Sequence, residues 1–353
     1  MTAVYINRIS TAVPEHDIHG IFVTFAGRML QDERVRSIFM RMAGKAEIAH
    51  RYSSLSTSET PGEKDVSVFS LYGSGSFPST ARRMQIFEAA APLLARRALD
   101  QLALSSQERR KIRHVIVTCC TGFYAPGLDF EIIDHLGLAP DVERTMVGFM
   151  GCYAAINGLK LARHIVRSQP ADSVLVVNLE LCTLHLQETQ SLNEVLSFLV
   201  FGDGCAASLI SNEMAGVEID SFRAMQIPKT RELITWRIGD IGFDMLLSGQ
   251  VPGAINKSMR EHAAEFSDSG PVDLWAVHPG GRSILDAVQQ GLDLPLEALC
   301  SSRAVLSRYG NMSSATVMFV LQELMRSAQP GQNGCAISFG PGLTAETMRF
   351  HAV

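Results

Sequence analysis

Five stretches of this chain are apolar almost throughout: residues 114–120 (HVIVTCC), 173–180 (SVLVVNLE), 205–210 (CAASLI), 273–277 (DLWAV) and 334–339 (GCAISF). A strand without polar alternation has no face to offer water, so it has to be covered on both sides. Between these runs lie segments whose apolar residues recur at helical spacing, over 81–101, 129–136, 152–168, 190–200, 282–290 and 313–327. Buried strands alternating with helices indicate the α/β class, a sheet sandwiched between helices. An N-terminal strand over 4–13, ended by Pro14, and a further strand over 144–148 complete the reading. A helix is expected over 32–45, with Val35, Ile38, Phe39 and Met42 on one face. Residues 53–80 are rich in Ser, Thr, Gly and Pro and read as loop.

The order repeats. Each half holds a strand ending in a glycine-rich corner, then a long helix, then a strand ending near Glu180 or Gly340. This suggests an internal duplication with a boundary over 211–217, hence halves of 1–215 and 216–353, packed as one unit because no linker separates them. A chain of 353 residues, 46% hydrophobic and 19% charged, easily buries such a core. A net charge of −5 gives no global case for nucleic acid. No apolar run reaches the roughly 18 residues of a spanning helix, and the N-terminus lacks the pattern of a secretory signal. Seven cysteines, an odd count, read as reduced thiols in a cytoplasm.

Most of those thiols read as small core hydrophobes. Cys119, Cys120, Cys205 and Cys335 lie in the apolar runs, and Cys300 sits among serines. Cys152 differs. It follows Met150-Gly151 directly after a strand and opens a helix, where partial positive charge favours a thiolate. Gly148, Gly151, Ala154 and Ala155 leave room for a substrate to reach it. His278 ends the run LWAV and precedes Pro279-Gly280-Gly281, at the carboxyl end of a strand where α/β sheets place ligands. Asn311 precedes the last long helix and could equally be its N-cap. A Cys, a His and an Asn at matching corners suggest nucleophilic catalysis. Ligand spacings such as CxxC or HExxH are absent, as are GxGxxG and the Walker loop, so neither a metal nor a bound nucleotide is expected.

The motifs GFMGCYAAINGLKLA, VFGDGCAASLI, WAVHPGGRSIL, YGNMSSATVMFVL and SFGPGLTAET resemble those of the type III polyketide synthases, the chalcone-synthase-like branch of the thiolase superfamily. The likeness runs from ISTAVPEH near the start to GPGLTAET. Related ketoacyl-ACP synthases III carry His-Gln-Ala-Asn where this chain has His-Pro-Gly-Gly. The resemblance implies a thiolase fold of two αβαβα halves in five layers and a homodimer. It also implies a catalytic triad of Cys152, His278 and Asn311. It assigns Phe201 as an aromatic gate and Arg41 and Lys45 as holders of CoA phosphates, the two being one helical turn apart. Substrates would be an acyl-CoA starter and malonyl-CoA, with no cofactor.

Departures from the plant pattern concern the cavity. Ala125 stands where chalcone synthases present a methionine to the partner subunit, Cys182 and His185 replace lining threonines, and Trp236 replaces a glycine. Met245 replaces the second gate phenylalanine, with Phe243 beside it. Trp236 would either plug the aromatic-starter pocket or line an acyl tunnel. Together these residues make a coumaroyl starter doubtful and point to a fatty acyl starter and an alkylpyrone or alkylresorcinol product. Two rivals stay open: a single ketoacyl-synthase-III-like condensation on a carrier protein, and a non-catalytic thiolase-fold subunit.

Overall fold

In chain order, the first half contains β1 (Tyr5–Ala12), α1 (His19–Met29), α2 (Glu33–Ala43), α3 (Thr80–Leu102), β2 (Ile112–Cys119) and β3 (Glu143–Gly148). It continues with α4 (Ala154–Ser168), β4 (Ser173–Leu181), α5 (Leu192–Val200) and β5 (Asp203–Ser211). The second half contains β6 (Val217–Gln226), a hairpin of β7 (Ile234–Gly239) and β8 (Gly242–Leu247), α6 (Val251–Glu261) and β9 (Leu274–Val277). Then come α7 (Arg282–Gly291), α8 (Thr316–Ser327), β10 (Asn333–Gly340) and β11 (Thr344–Ala352). This computed structural model describes residues 2–58, 66–73, 77–267 and 270–353.

Among the described residues the strands form a nine-stranded sheet in the order β9-β10-β11-β6-β1-β5-β4-β2-β3. The duplication is visible in the pairing. In the first half β1–β5 and β5–β4 are antiparallel while β4–β2 is parallel. In the second, β6–β11 and β11–β10 are antiparallel while β10–β9 is parallel. The two halves join where β1 meets β6 at Tyr5–Glu218 and Ile6–Val217.

Alternate residues of the buried strands serve different cores, as the two-residue strand period requires. Val115 and Val117 of β2 pack outward against α3, while Ile116 packs inward with α4 and α8. In β9 and β10, Trp275, Val277, Cys335 and Ile337 face α6 and α7, while Ala276 and Ala336 face the centre. Three apolar clusters thus separate outer helices, sheet, central helices, sheet and outer helices, which is the five-layered α/β thiolase fold expected from the motifs.

Several elements were not legible in the pattern. Helix α1, the strand β6, the β7–β8 hairpin and α6 carry mixed polar and apolar residues because one side faces solvent or a cavity, and β11 is mostly buried yet holds Thr, Glu, Arg and His among its apolar residues. The helix expected over 32–45 stops at Ala43, where Gly44 caps it; Asp32 starts it by accepting from the Arg34 and Val35 amides. Within 53–80 a short helix, Val68–Tyr72, interrupts the expected loop, while 59–65 and 74–76 lie outside the described residues. Among the described residues no helix is long and apolar enough to cross a membrane.

Candidate active site

A cavity lies between the halves, and Cys152, His278 and Asn311 all line it. Each arrives from a corner that the fold builds for it. Cys152 lies two residues ahead of α4, on a turn where Gly151 has φ +80° and a Cβ would come 2.4 Å from the Pro341 ring. Only glycine fits there. Phe149 (φ 55°) and Ser313 (φ 46°) are also held in the left-handed region, the backbone strain that concentrates at functional sites. The Cys152 sulfur faces the Ser313 hydroxyl at 3.7 Å.

His278 follows β9, with its amide donating to the Ile337 carbonyl at 2.8 Å. It is 1% exposed, yet neither ring nitrogen has a hydrogen-bond partner among the described residues. Buried polar groups are almost always satisfied, so both nitrogens are left for something that enters the cavity. Asn311 is fixed from both sides. Its amide donates to the Val200 carbonyl at 2.8 Å, and its Oδ1 accepts from the Ser313 amide at 2.8 Å. The Nδ2 group donates weakly to the Gly280 carbonyl at 3.3 Å. The helix start expected at residue 313 is a short 3₁₀ turn with Met312 at its N-cap, and α8 begins only at Thr316, so Asn311 lies ahead of the turn instead of capping the helix.

Electrostatics here differ from the sequence expectation. Burial pushes the Cys152 thiol up to about 12, with hydrogen bonds from Ser313 and Asn311 only partly opposing it and the Glu180 carboxylate adding to it. Burial likewise pushes His278 down to about 3. The thiolate expected from a helix N-terminus is therefore disfavoured at rest, because loss of water outweighs the partial charge of a helix that starts two residues later. Below the cavity floor the buried Glu180 carboxyl takes bonds from the Cys120 amide (2.9 Å), Thr121 Oγ1 (2.8 Å) and Ser314 Oγ (2.6 Å), and burial raises it to about 7. Sequence reasoning passed over Glu180, Ser313 and Ser314. A carboxylate at the end of an apolar run was the available signal.

The hairpin forms one wall. Trp236 and Met245 are cross-strand partners, and both line the cavity. The Trp236 Nε1–H donates to the Cys120 carbonyl at 2.9 Å, which fixes the indole as a wall. His185 and Phe243, expected at the wall, are not among its lining residues. His185 is fully buried, donates from Nε2 to the Thr121 carbonyl (2.7 Å) and accepts the Phe243 amide at Nδ1 (3.1 Å). Its ring stacks on Phe243 with centroids 4.1 Å apart, and Trp236 meets both edge-on. The pair holds the tryptophan from behind. Cys182 and Phe201 line the cavity, whereas Ala125 is exposed on the surface of the single chain.

A surface groove shares Leu247, Val251, Gly280 and Ile284 with the cavity and so leads into it. Lys45 and Arg282 line this groove. Arg41 does not: α2 ends at Ala43, so Arg41 and Lys45 no longer share a helical face. Arg282, absent from the sequence expectation, is anchored by Glu47 at 3.1 Å and the Lys45 carbonyl at 3.2 Å.

The comparisons agree with this geometry. Residues 5–214 match the model of the N-terminal domain of chalcone and stilbene synthases, and residues 218–353 match the C-terminal domain. The chain is 35% identical over 299 residues to the alpha-pyrone synthesis polyketide synthase-like Pks18 of Mycobacterium tuberculosis, covering 78% of this chain and 75% of that protein. It is 34% identical over 299 residues to bisdemethoxycurcumin synthase of Oryza sativa subsp. japonica, covering 78% and 74%. The crystal structure of PKS-I from the brown alga Ectocarpus siliculosus superposes with a TM-score of 0.90 at 31% identity, covering 100% of this chain and 99% of that one. The chain therefore belongs to the chalcone and stilbene synthase family and is a type III polyketide synthase, an acyltransferase that extends acyl-CoA by decarboxylating condensation with malonyl-CoA.

Proposed function

We propose that this synthase takes a medium- or long-chain fatty acyl group as its starter and extends it repeatedly, releasing an alkylpyrone or alkylresorcinol-type product. The observation that carries this reading is the wall around Cys152. It is largely apolar, with Phe198, Ile234, Trp236, Leu247 and Phe339, and besides His278 and Asn311 its polar lining comes down to Thr121 and Ser313 and the thiols. The alpha-pyrone relative supports the pyrone branch.

Cys152 is the nucleophile. Its proton passes to His278 as the sulfur attacks the starter thioester, the acyl–sulfur bond to Cys152 forms, and CoA leaves with that proton. Burial keeps the pair neutral until the thioester arrives. Once formed, the ion pair is worth about 4 kcal/mol at roughly 4 Å and an effective dielectric of 20, against about 1 in water. Malonyl-CoA then loses CO2, and the negative charge moves to its thioester oxygen. The His278 Nε2–H and the Asn311 Nδ2–H are the donors aimed at that oxygen. Phe201 gives the departing carboxylate an apolar neighbour and so favours neutral CO2. The enolate carbon attacks the acyl-Cys152 carbonyl, a carbon–carbon bond forms, and the Cys152 sulfur leaves. Lys45, with Arg282 in the same groove, meets the CoA phosphates.

The enzyme acts as a homodimer in the cytoplasm, where its thiols stay reduced. Exposed Met146, Met150 and Phe130 beside the unpaired edge of β3 support the dimer. Incubation with malonyl-CoA and a panel of acyl-CoAs, with products read by mass spectrometry, tests the whole reading. Several extensions of fatty starters without carrier protein are expected. A single extension that requires carrier protein would favour the ketoacyl synthase III alternative.

A further inference from the structure

Two struts tie the corner that carries Cys152 to the hairpin wall. The first is Cys120, whose carbonyl accepts from Trp236 Nε1–H at 2.9 Å and whose sulfur accepts from the Gly151 amide at 3.1 Å. The second is a row of rings behind the wall. Phe149, just ahead of Met150-Gly151-Cys152, meets the Phe243 ring with centroids 5.6 Å apart, and Phe243 meets Trp236 edge-on at 5.7 Å. Phe123 holds Phe149 in turn, again at 5.6 Å.

Phe149 joins this row under strain. Its φ is 55°, in the left-handed region where a Cβ crowds the following carbonyl and a bulky side chain is an outlier. Glycine or asparagine would relieve the backbone there. The neighbouring chain is shaped around the rings: a Cβ on Gly148 would come 2.8 Å from the Phe123 ring. The nucleophile does not need Phe149 for its own place. Gly151 lies against Pro341, its amide bonds Cys120, and its carbonyl accepts from the Ala154 amide at 3.0 Å. Among the described residues, neither Phe149 nor Phe243 lines the reaction cavity. What the strained residue supplies is a contact between the nucleophile corner and the back of the hairpin.

We propose that Phe149 is a positioning residue that fixes how far the Trp236 wall stands from the acylated Cys152 sulfur, and thereby how many malonyl units are added before release. It touches no reacting atom. It acts through Phe243 on the room left for a growing chain. The assignment rests on Cys152 as the nucleophile and is independent of the chemistry of the starter. Because the Cys120 strut survives without the ring, its loss loosens the wall without collapsing it.

The test compares wild type with Phe149→Asn, which suits a left-handed backbone, with Phe149→Leu, which keeps apolar bulk, and with Phe149→Tyr, which keeps the ring. Each receives malonyl-CoA and the starter that wild type extends best. Products are read by mass spectrometry, and acyl loading on Cys152 by intact-protein mass. The two ringless variants are expected to load at the wild-type rate yet shift the ratio of adjacent chain lengths roughly two- to tenfold, the range that one aromatic contact supports. Phe149→Tyr is expected to restore the wild-type ratio. In a Trp275→Phe background Trp236 is the only tryptophan, and acrylamide should quench it more strongly in the ringless variants. An unchanged ratio or unchanged quenching in a folded ringless variant overturns the proposal. So does loading that falls in step with extension, which would make Phe149 a prop of the nucleophile. A ratio that shifts only where sedimentation also departs from wild type would make it an assembly residue, and variants that all fail to fold would leave the ring a purely structural role; either result overturns the proposal. If wild-type Cys152 takes no acyl group, the nucleophile assignment falls and this one with it, and the loading assay tells that failure from the others.

Discussion

Under the proposed mechanism Cys152 and Asn311 serve different halves of the reaction, and single substitutions test this. Cys152→Ala removes the sulfur but leaves His278 and Asn311 in the cavity wall. Acyl loading, followed by intact-protein mass spectrometry, is expected to vanish while CO2 release from malonyl-CoA remains measurable. Asn311→Ala removes one oxyanion donor and should lower that release about 10²–10³-fold. Equal loss of both activities in a folded Cys152→Ala enzyme would sink the division of labour. At this scale the sequence was informative about identity and silent about environment. The residue types at the three corners could be read from their flanking glycines. The protonation states could not, because desolvation depends on everything packed around a site, and here burial reverses the preference that a helix terminus suggested.

His185 gives a second prediction at the residue scale. Burial holds its pKa down to about 3, with the ring locked between the Thr121 carbonyl and the Phe243 amide. The unfolded chain takes up this proton below about pH 6.5, whereas the folded chain does so only near pH 3. Between those limits the unfolded state binds more protons, so stability falls as pH falls, by up to about 1.4 kcal/mol per pH unit for each such histidine. His278 behaves alike. Urea midpoints at about pH 7 and about pH 5 should therefore converge in His185→Gln relative to wild type. An unchanged acid sensitivity would show that His185 is not held neutral.

Among the elements, the β7–β8 hairpin does the most to shape the cavity. Its strands pair Trp236 with Met245, and the indole is braced by the Cys120 carbonyl and by His185 and Phe243 behind it. Trp236→Gly opens that wall while the register of the hairpin persists through Ile234–Leu247 and Gly242–Gly239 pairing. The preferred starter length or the number of extensions is expected to change, read as a shifted product profile. An identical profile would remove Trp236 from specificity. The hairpin was missed in the sequence because ITWRIGDIGFDMLL mixes charged and apolar residues without clean alternation. Its apolar side chains face a cavity, which periodicity does not distinguish from solvent or core. Similarly, α2 ends two residues before Lys45, and that early stop at Gly44 separates Lys45 from Arg41.

Across the whole molecule, one edge of the large sheet is β3, whose residues Glu143–Met146 are exposed. An open edge carrying an apolar side chain is a hazard unless it is covered. Met146 is 41% exposed and Met150 37%, two residues from Cys152. If a second copy covers them, Met146→Arg should shift sedimentation toward monomer and lower the rate of extension. A monomeric wild-type enzyme with full activity would refute this.

From the sequence by itself the α/β class was legible, an internal duplication was suggested, and Cys152, His278 and Asn311 were singled out as candidates. Buried strands and glycine corners are local patterns, and the chemistry of a motif survives without its coordinates. Only the tertiary structure decided that Trp236 is a braced wall, that His185 and Phe243 stand behind it, and that Arg282 joins Lys45 at the groove. Those outcomes depend on residues from separate elements being desolvated together, and burial of that kind is a property of the assembled layers.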